Sequence, residues 1–318
     1  MAGLPTDINI DILSRLSVKC LLRFKCVSKS FCSLIDSQEF IKIHLKRSIE
    51  TNSNLSLILS GTPAPILDSS RYWGGKIFSA GLDSLNLGVE LDHPFKNCKG
   101  RTPIIDSCNG LIPFKNDENG IALWNPSTEE HLILSKFWGD LKDFTVVDGF
   151  GYDAVNDDYK VVRLVQLVIG NVGYTEIAVY SLRTNSWRRI RVDFPYYILH
   201  GWDGTFADGH PVDIWVLMGC WTKAFSFPRS VGDYVKALAY SKSGGKVLVD
   251  KFEYGEDEDI NRWELFWYDL QNQGAAADQV TIYGVPQGCR DTIVCVDSLV
   301  SLAACAGRGV AGREGRMS

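Results

Sequence analysis

The residues that could do chemistry are few, and their spacing does not serve it. Gly307-x-Gly309-x-x-Gly312 has the form of a dinucleotide-binding loop. Only six residues follow it, too few for the helix and second strand such a loop must join, or for the acid that would hold a ribose. Carboxylates crowd one short run, at Glu253, Glu256, Asp257, Glu258 and Asp259. Their spacing is not that of a calcium loop, and a solvated hairpin loop accounts for them. Asp157 and Asp158 fall where a turn is expected, and there Asp bends the chain rather than acting as a base. The histidines at 44, 93, 131, 200 and 210 show no paired spacing, and the nine cysteines include no Cys-x-x-Cys. No Gly-x-Ser-x-Gly, His-Glu-x-x-His or phosphate-binding loop is present. Nothing assembles a nucleophile, a base and an orienting group. The sequence therefore predicts no catalytic residues, no metal and no cofactor.

The elements must then serve binding. The chain has 318 residues, a net charge of −5, 45% apolar and 22% charged residues. It is too apolar to be disordered and too acidic for a general nucleic-acid binder. Nine Trp, 12 Tyr and 15 Phe, with 29 Gly and only three Met, favour many short strands and turns. The N-terminal residues lack the basic and apolar regions of a secretory signal. No run approaches the roughly 18 apolar residues of a membrane helix. An odd number of scattered cysteines fits free thiols in a reducing compartment, so a cytoplasmic or nuclear protein is expected, without a membrane partner.

Charge divides the chain. Residues 1–47 carry eight Lys/Arg and four acids, net +4, and the remainder is net −9. The basic part has helical rhythm, with Ile8, Ile12, Leu13 and Leu16 on one face. Pro5 suits a first turn, and Ser17, Ser28 and Ser37 are placed to cap three further helices. Four short helices cannot hide this much apolar surface among themselves. They either cap the rest of the chain or dock on a partner, and spacing alone leaves both open. The basic residues have no aromatic interleaving, which favours a protein partner over nucleic acid.

This module resembles an F-box of the plant type. The resemblance rests on Leu4-Pro5-x-Asp7, Ile12-Leu13-x-Arg15-Leu16, the run Leu21 to Phe31, and Leu34-Ile35. It implies docking on a Skp1-like adaptor, and through it on a cullin. Leu4, Pro5, Ile8, Ile12, Leu13, Leu16, Leu21, Leu22 and Val27 would supply or support the apolar contacts, with Phe31 beside them. Arg15, Arg23 and Lys29 would steer toward an acidic adaptor. Two positions depart from the family: Ser17 stands where Pro is usual and Phe31 where Trp is usual. Both are expected to weaken docking without abolishing it.

From residue 55 strand-like runs alternate with Gly, Asn, Asp and Ser. Leu123 to Thr128, Val179 to Trp187 and Trp267 to Asn272 share an aromatic, a polar pair and a turn, and Ile214-Trp215-Val216 begins a fourth. A second hairpin precedes two of them, with Tyr152 placed 28 residues before Tyr180 and Tyr240 placed 28 before Tyr268. Tandem hairpins make four-stranded antiparallel sheets. About 50 residues per sheet is the scale of kelch-type propeller blades, with a generic β-sandwich as the alternative.

Ser107 to Ile112, Trp124 to Thr128, Gly149 to Val162 and Tyr180 to Trp187 resemble the F-box-associated domain of plant F-box/kelch-type proteins, of the constitutive-expresser-of-pathogenesis-related-genes type. That resemblance implies a substrate-selecting domain. It also exposes a contraction. Tyr180 to Trp215 spans 35 residues, about 20 short of the other intervals. Asp208-Gly209-His210 runs directly into Pro211, and a second contraction falls at Gly219-Cys220. Either coding sequence has been skipped or this is a shortened paralogue.

The expected architecture is α+β and multidomain. It comprises an F-box at 1–48, a propeller-like β-domain at 55–305 that is incomplete near 200–220, and a disordered tail at 306–318. The expected function is non-catalytic recruitment of an unknown target to a Skp1–cullin–F-box ubiquitin ligase. The alternative is a degenerate protein that binds the adaptor without a working substrate domain.

Overall fold

A computed structural model describes residues 5–61, 75–98, 102–116, 120–136, 145–169, 172–190, 212–217, 221–227, 234–253, 262–271, 278–286 and 289–306. Leu4, His200, the contractions at 208–211 and 219–220, the acids at 256–259, and Gly307 to Ser318 lie outside them.

Four helices open the chain: α1 (Thr6–Leu13), α2 (Val18–Phe24), α3 (Lys29–Ile35) and α4 (Gln38–Glu50). Each predicted cap forms. Ser17, Ser28 and Ser37 accept the backbone N–H of Cys20, Phe31 and Phe40 at 3.4, 3.1 and 3.2 Å. Residues 51–54 then turn the chain into sheet structure. Asn52 and Asn54 hold left-handed φ angles of 47° and 56°, a conformation Asn adopts more readily than most residues.

The remaining described residues are β-structure, propeller-like, with one four-residue helix near their end. The first sheet begins with β1 (Leu55–Gly61), β2 (Lys76–Gly81) and β3 (Val89–Leu91). The second holds β4 (Ile112–Asn116), β5 (Gly120–Trp124) and β6 (His131–Ile133). The third is β7 (Thr145–Asp153), β8 (Asp158–Ile169), β9 (Val172–Ser181) and β10 (Ser186–Ile190), two hairpins in tandem as the aromatic spacing predicts. The fourth has two strands among the described residues, β11 (Val212–Leu217) and β12 (Trp221–Phe227). The fifth is β13 (Tyr234–Tyr240), β14 (Lys246–Glu253), β15 (Arg262–Asp269) and β16 (Asp278–Gln279). Finally β17 (Cys289–Val296) returns to the first sheet and pairs antiparallel with β1, from Leu55 opposite Val296 to Gly61 opposite Cys289. The first and last of these strands therefore join in one sheet. The expected incompleteness near 200–220 falls largely on residues outside those described.

Three of the repeat markers are core residues, whereas Tyr240 is 51% exposed. Trp124 in the second sheet, Tyr180 in the third and Tyr268 in the fifth are 1%, 0% and 4% exposed. Successive residues of a strand face opposite ways. On β1, Leu57 and Leu59 join Leu248 and Leu265 of the fifth sheet, while Ile58 joins Ile112, Phe114 and Trp124 of the second. A strand buried on both faces reads as the continuous run Leu-Ser-Leu-Ile-Leu. A third core unites the second sheet, the third sheet and the helices.

Polar contacts cross the seam of the fifth and first sheets. The Thr292 hydroxyl on β17 donates to the buried Asp250 carboxyl on β14, and Lys236 Nζ on β13 donates to the Thr292 carbonyl at 2.9 Å. No helix among the described residues is long and apolar enough to cross a membrane.

Candidate protein-docking site

The helical module has two unlike faces. Leu13, Val18, Leu21, Ile35, Phe40 and Ile41 are buried in the core shared with the second and third sheets. On the other side Ile8 and Ile12 are 46% and 47% exposed, one helical turn apart on α1. Phe24 at the end of α2 is 37% exposed, and Val27 just beyond it is 66% exposed. The module therefore both caps the sheets and keeps an apolar surface free, which combines the two readings that spacing left open.

This distribution sorts the sequence-predicted residues. Pro5, Ile8, Ile12, Arg15, Arg23, Val27 and Lys29 are exposed. Leu16 and Leu22 are half-buried and pack against the shared core. Leu13 and Leu21, 4% and 0% exposed, are not on the surface, so of the two roles considered for them only internal support remains. Phe31 is also drawn inward. It is half-buried, and its ring meets Phe24 edge-on, with centroids 6.2 Å apart. An indole N–H is thus not missed at this position, since the ring makes apolar contacts within the chain. Ser17, the other departure, caps α2 with a long hydrogen bond, so the turn between the first two helices is held less firmly than those after Ser28 and Ser37.

The charges are partly committed. Arg15 forks onto Asp11 at 2.9 and 3.0 Å, and Arg47 of α4 reaches the same carboxylate at 3.0 Å and the Ser14 hydroxyl at 2.9 Å. Hydrogen bonds from Arg15, then Arg47, hold the Asp11 carboxyl below the usual range. Arg15 therefore offers less free charge than its type suggests. Lys25 pairs with Asp36, tying the end of α2 to the end of α3.

Two positioning residues escaped the sequence reading. His44 is fully buried on α4 and donates Nε2–H to the Leu16 carbonyl at 2.9 Å; burial lowers its pKa, which keeps the ring neutral. With Arg47 it clamps α4 against the end of α1 and so fixes how the row of Ile8 and Ile12 is presented. The available signal was register: Phe40, Ile41, His44 and Ser48 share the buried side of α4.

Comparison with known proteins settles what this module is. Residues 1–43 match the F-box domain, and residues 83–211 match the F-box associated beta propeller domain. The chain carries an F-box followed by an F-box-associated domain. Its relatives include F-box protein CPR1 of Arabidopsis thaliana, 29% identical over 366 positions that cover 86% of this chain and 83% of the relative. From the same plant, F-box protein At4g22390 is 35% identical over 63% of this chain and 49% of its own length. F-box/kelch-repeat protein At3g23880 is 32% identical over 58% of this chain and 51% of its own length. The chain thus spans about half the length of these last two. The alignment to CPR1 is longer than the 318 residues of this chain, so that relative contains sequence absent here. The F-box-associated match ends at residue 211, where the intervals shorten.

Proposed function

We propose that this chain is the substrate-recognition subunit of a Skp1–cullin–F-box ubiquitin ligase, recruiting a target protein for ubiquitination and degradation. The observation that carries this reading is the exposed row Ile8 and Ile12 on a helix whose next residue, Leu13, is buried. Full burial of an isoleucine is worth about 1.5–3 kcal/mol, so covering the exposed half of each is worth about 1 kcal/mol, and a few such anchors dominate an interface. Pro5, Leu16, Leu22 and Val27 extend the apolar contact. Arg23 and Lys29 steer toward an acidic adaptor, with Arg15 shared with Asp11. Leu13, Leu21 and Phe31 support the face from below, and Leu4 joins it by family resemblance. The β-region holds the target. The chain performs no chemistry itself and needs no cofactor, nucleic acid or membrane; ubiquitin transfer belongs to the other subunits. Its place of action is the cytoplasm, the nucleus or both.

The test is co-precipitation of a Skp1-like adaptor with the full chain. Capture is expected from the native sequence and lost in a Leu4→Ala/Pro5→Ala/Leu16→Ala variant. Undiminished capture by that variant sinks the assignment, as does a native pull-down with no adaptor.

The sequence lacking relative to CPR1 favours a second reading, an F-box protein that binds its adaptor without a working substrate domain. Affinity purification under proteasome inhibition separates the two, because a working domain brings down a target along with the adaptor. Transcript sequencing across codons 187–222 tells a skipped exon from a shortened paralogue.

A further inference from the structure

Beyond β17 the chain continues into the core shared by the helices and sheets. The Asp297 N–H donates to the Asn54 carbonyl at 2.7 Å, which pins the start of this segment to the joint after α4. Asn125, fully buried just past β5, then holds it. Its Nδ2 donates to the carbonyls of Ser298 and Val300 at 3.1 and 2.8 Å, and its Oδ1 accepts the Ser127 N–H at 2.9 Å. Both sides of the amide are therefore used, and no shorter or purely apolar side chain could replace it. Glu130 Oε2 accepts the Ser301 hydroxyl at 2.9 Å and the Leu302 N–H at 2.8 Å, at the start of the short helix α5 (Leu302–Cys305).

Gly110 gives the segment room. Its φ is +85°, and a Cβ there would lie 2.1 Å from Ser298 Oγ and 2.8 Å from the Val296 carbonyl oxygen. Both the backbone angle and the close approach require glycine. Gly110 and Asn125 belong to the two runs, Ser107 to Ile112 and Trp124 to Thr128, that carry the resemblance to the F-box-associated domain. The segment's own side chains, Leu299, Val300, Leu302 and Ala306, are 3–6% exposed and share one core with Leu13, Leu21 and Phe40 of the helices.

We infer that residues 297–306 form a strap fixing the helical module against the second and third sheets, with Gly110, Asn125 and Glu130 as its clasp, so that this segment sets the direction in which the docking face points. Another tie between helices and sheets, Lys42 with Asp157 at 2.9 Å, joins two side chains that are 60% and 61% exposed, and such pairs hold weakly. Without the strap the module would pivot on the four-residue joint at 51–54. The purpose, a fixed geometry between adaptor and target, rests on the function proposed above; the strap itself does not.

Hydrogen exchange followed by mass spectrometry on the full chain tests it. In Asn125→Ala, exchange in 298–306 and in α1 and α4 is expected to quicken by about tenfold or more, while β14 and β15 keep native protection. Ser301→Ala, a gentler cut at the same clasp, carries the test should Asn125→Ala not fold. Lys42→Ala is expected to leave helix exchange as in the native chain. Faster exchange in the strap with unchanged helices overturns the inference, as does an equal rise in the fifth sheet or an equal effect of Lys42→Ala. Failure of the native chain to capture a Skp1-like adaptor removes the proposed function and leaves the exchange result standing.

Discussion

The first sheet and the helical module bury apolar residues by opposite rules. On β1 three consecutive residues, Leu57, Ile58 and Leu59, are all at or below 1% exposure, because sheets pack on both faces of the strand. On α1 the consecutive residues Ile12 and Leu13 differ tenfold, at 47% and 4%. The β-region is sealed by its own chain along this strand, while the module leaves one apolar side for something else to cover. Truncating an apolar residue should therefore cost stability in the first setting and partner affinity in the second.

The strongest test of that contrast is Trp124→Ala. Its ring packs against His93 and Phe114 in the core between the first and second sheets, so about 3–5 kcal/mol of stability should be lost in thermal or denaturant unfolding. A loss under about 1 kcal/mol would erase the distinction.

A smaller effect is expected at the seam of the fifth and first sheets, where the sealed region contains a charge. Burial raises the Asp250 carboxyl to about 6, opposed by the Thr292 hydroxyl and the nearby Lys236 and reinforced by Asp291. The folded chain thus keeps a proton that the unfolded chain releases between about pH 4 and 6. Stability should fall as pH rises through that window and level off above it, by about 3 kcal/mol in all. Asp250→Asn should remove this part of the slope. Identical pH profiles of the two chains would show that the carboxylate is not desolvated.

The module's half of the comparison predicts a different readout. Ile8→Ala/Ile12→Ala should change unfolding stability by no more than about 0.5 kcal/mol and weaken capture of a Skp1-like adaptor by about tenfold or more. A large stability loss would mean that the row is internal after all. Smallest is Ser28→Ala, which removes the cap of α3 and should cost about 1 kcal/mol, seen as a lower unfolding midpoint with the same adaptor contacts.

What could be read from the sequence was local. The caps at Ser17, Ser28 and Ser37 each involve a residue three positions on, and the markers Trp124, Tyr180 and Tyr268 recur because each sheet repeats one hairpin plan. The exposed row of α1 was legible for the same reason, since helical period places Ile8 beside Ile12. Periodicity could not tell which apolar residues face the sheets, so Leu13, Leu21 and Phe31 joined the docking set on resemblance and only the packing separates them. Long-range polar contacts left no pattern at all. His44 to Leu16, Asn125 to Val300 and Asp250 to Thr292 each join residues whose separation carries no period.

The pairing of β1 with β17 also bears on how the protein comes to be made. Ser56 meets Asp297 across 241 residues of sequence, so the first sheet cannot be completed until nearly the whole described chain has been synthesised. At about 5–20 residues per second, β1 waits roughly 12–50 seconds beside β2 with one edge unpaired and its Leu-Ser-Leu-Ile-Leu run uncovered. Such an edge recruits other strands, and contacts of this separation form slowly. The nascent chain should depend on chaperones through that interval and be prone to aggregate when expressed in haste, although the finished molecule buries the strand from Ser56 to Gly61.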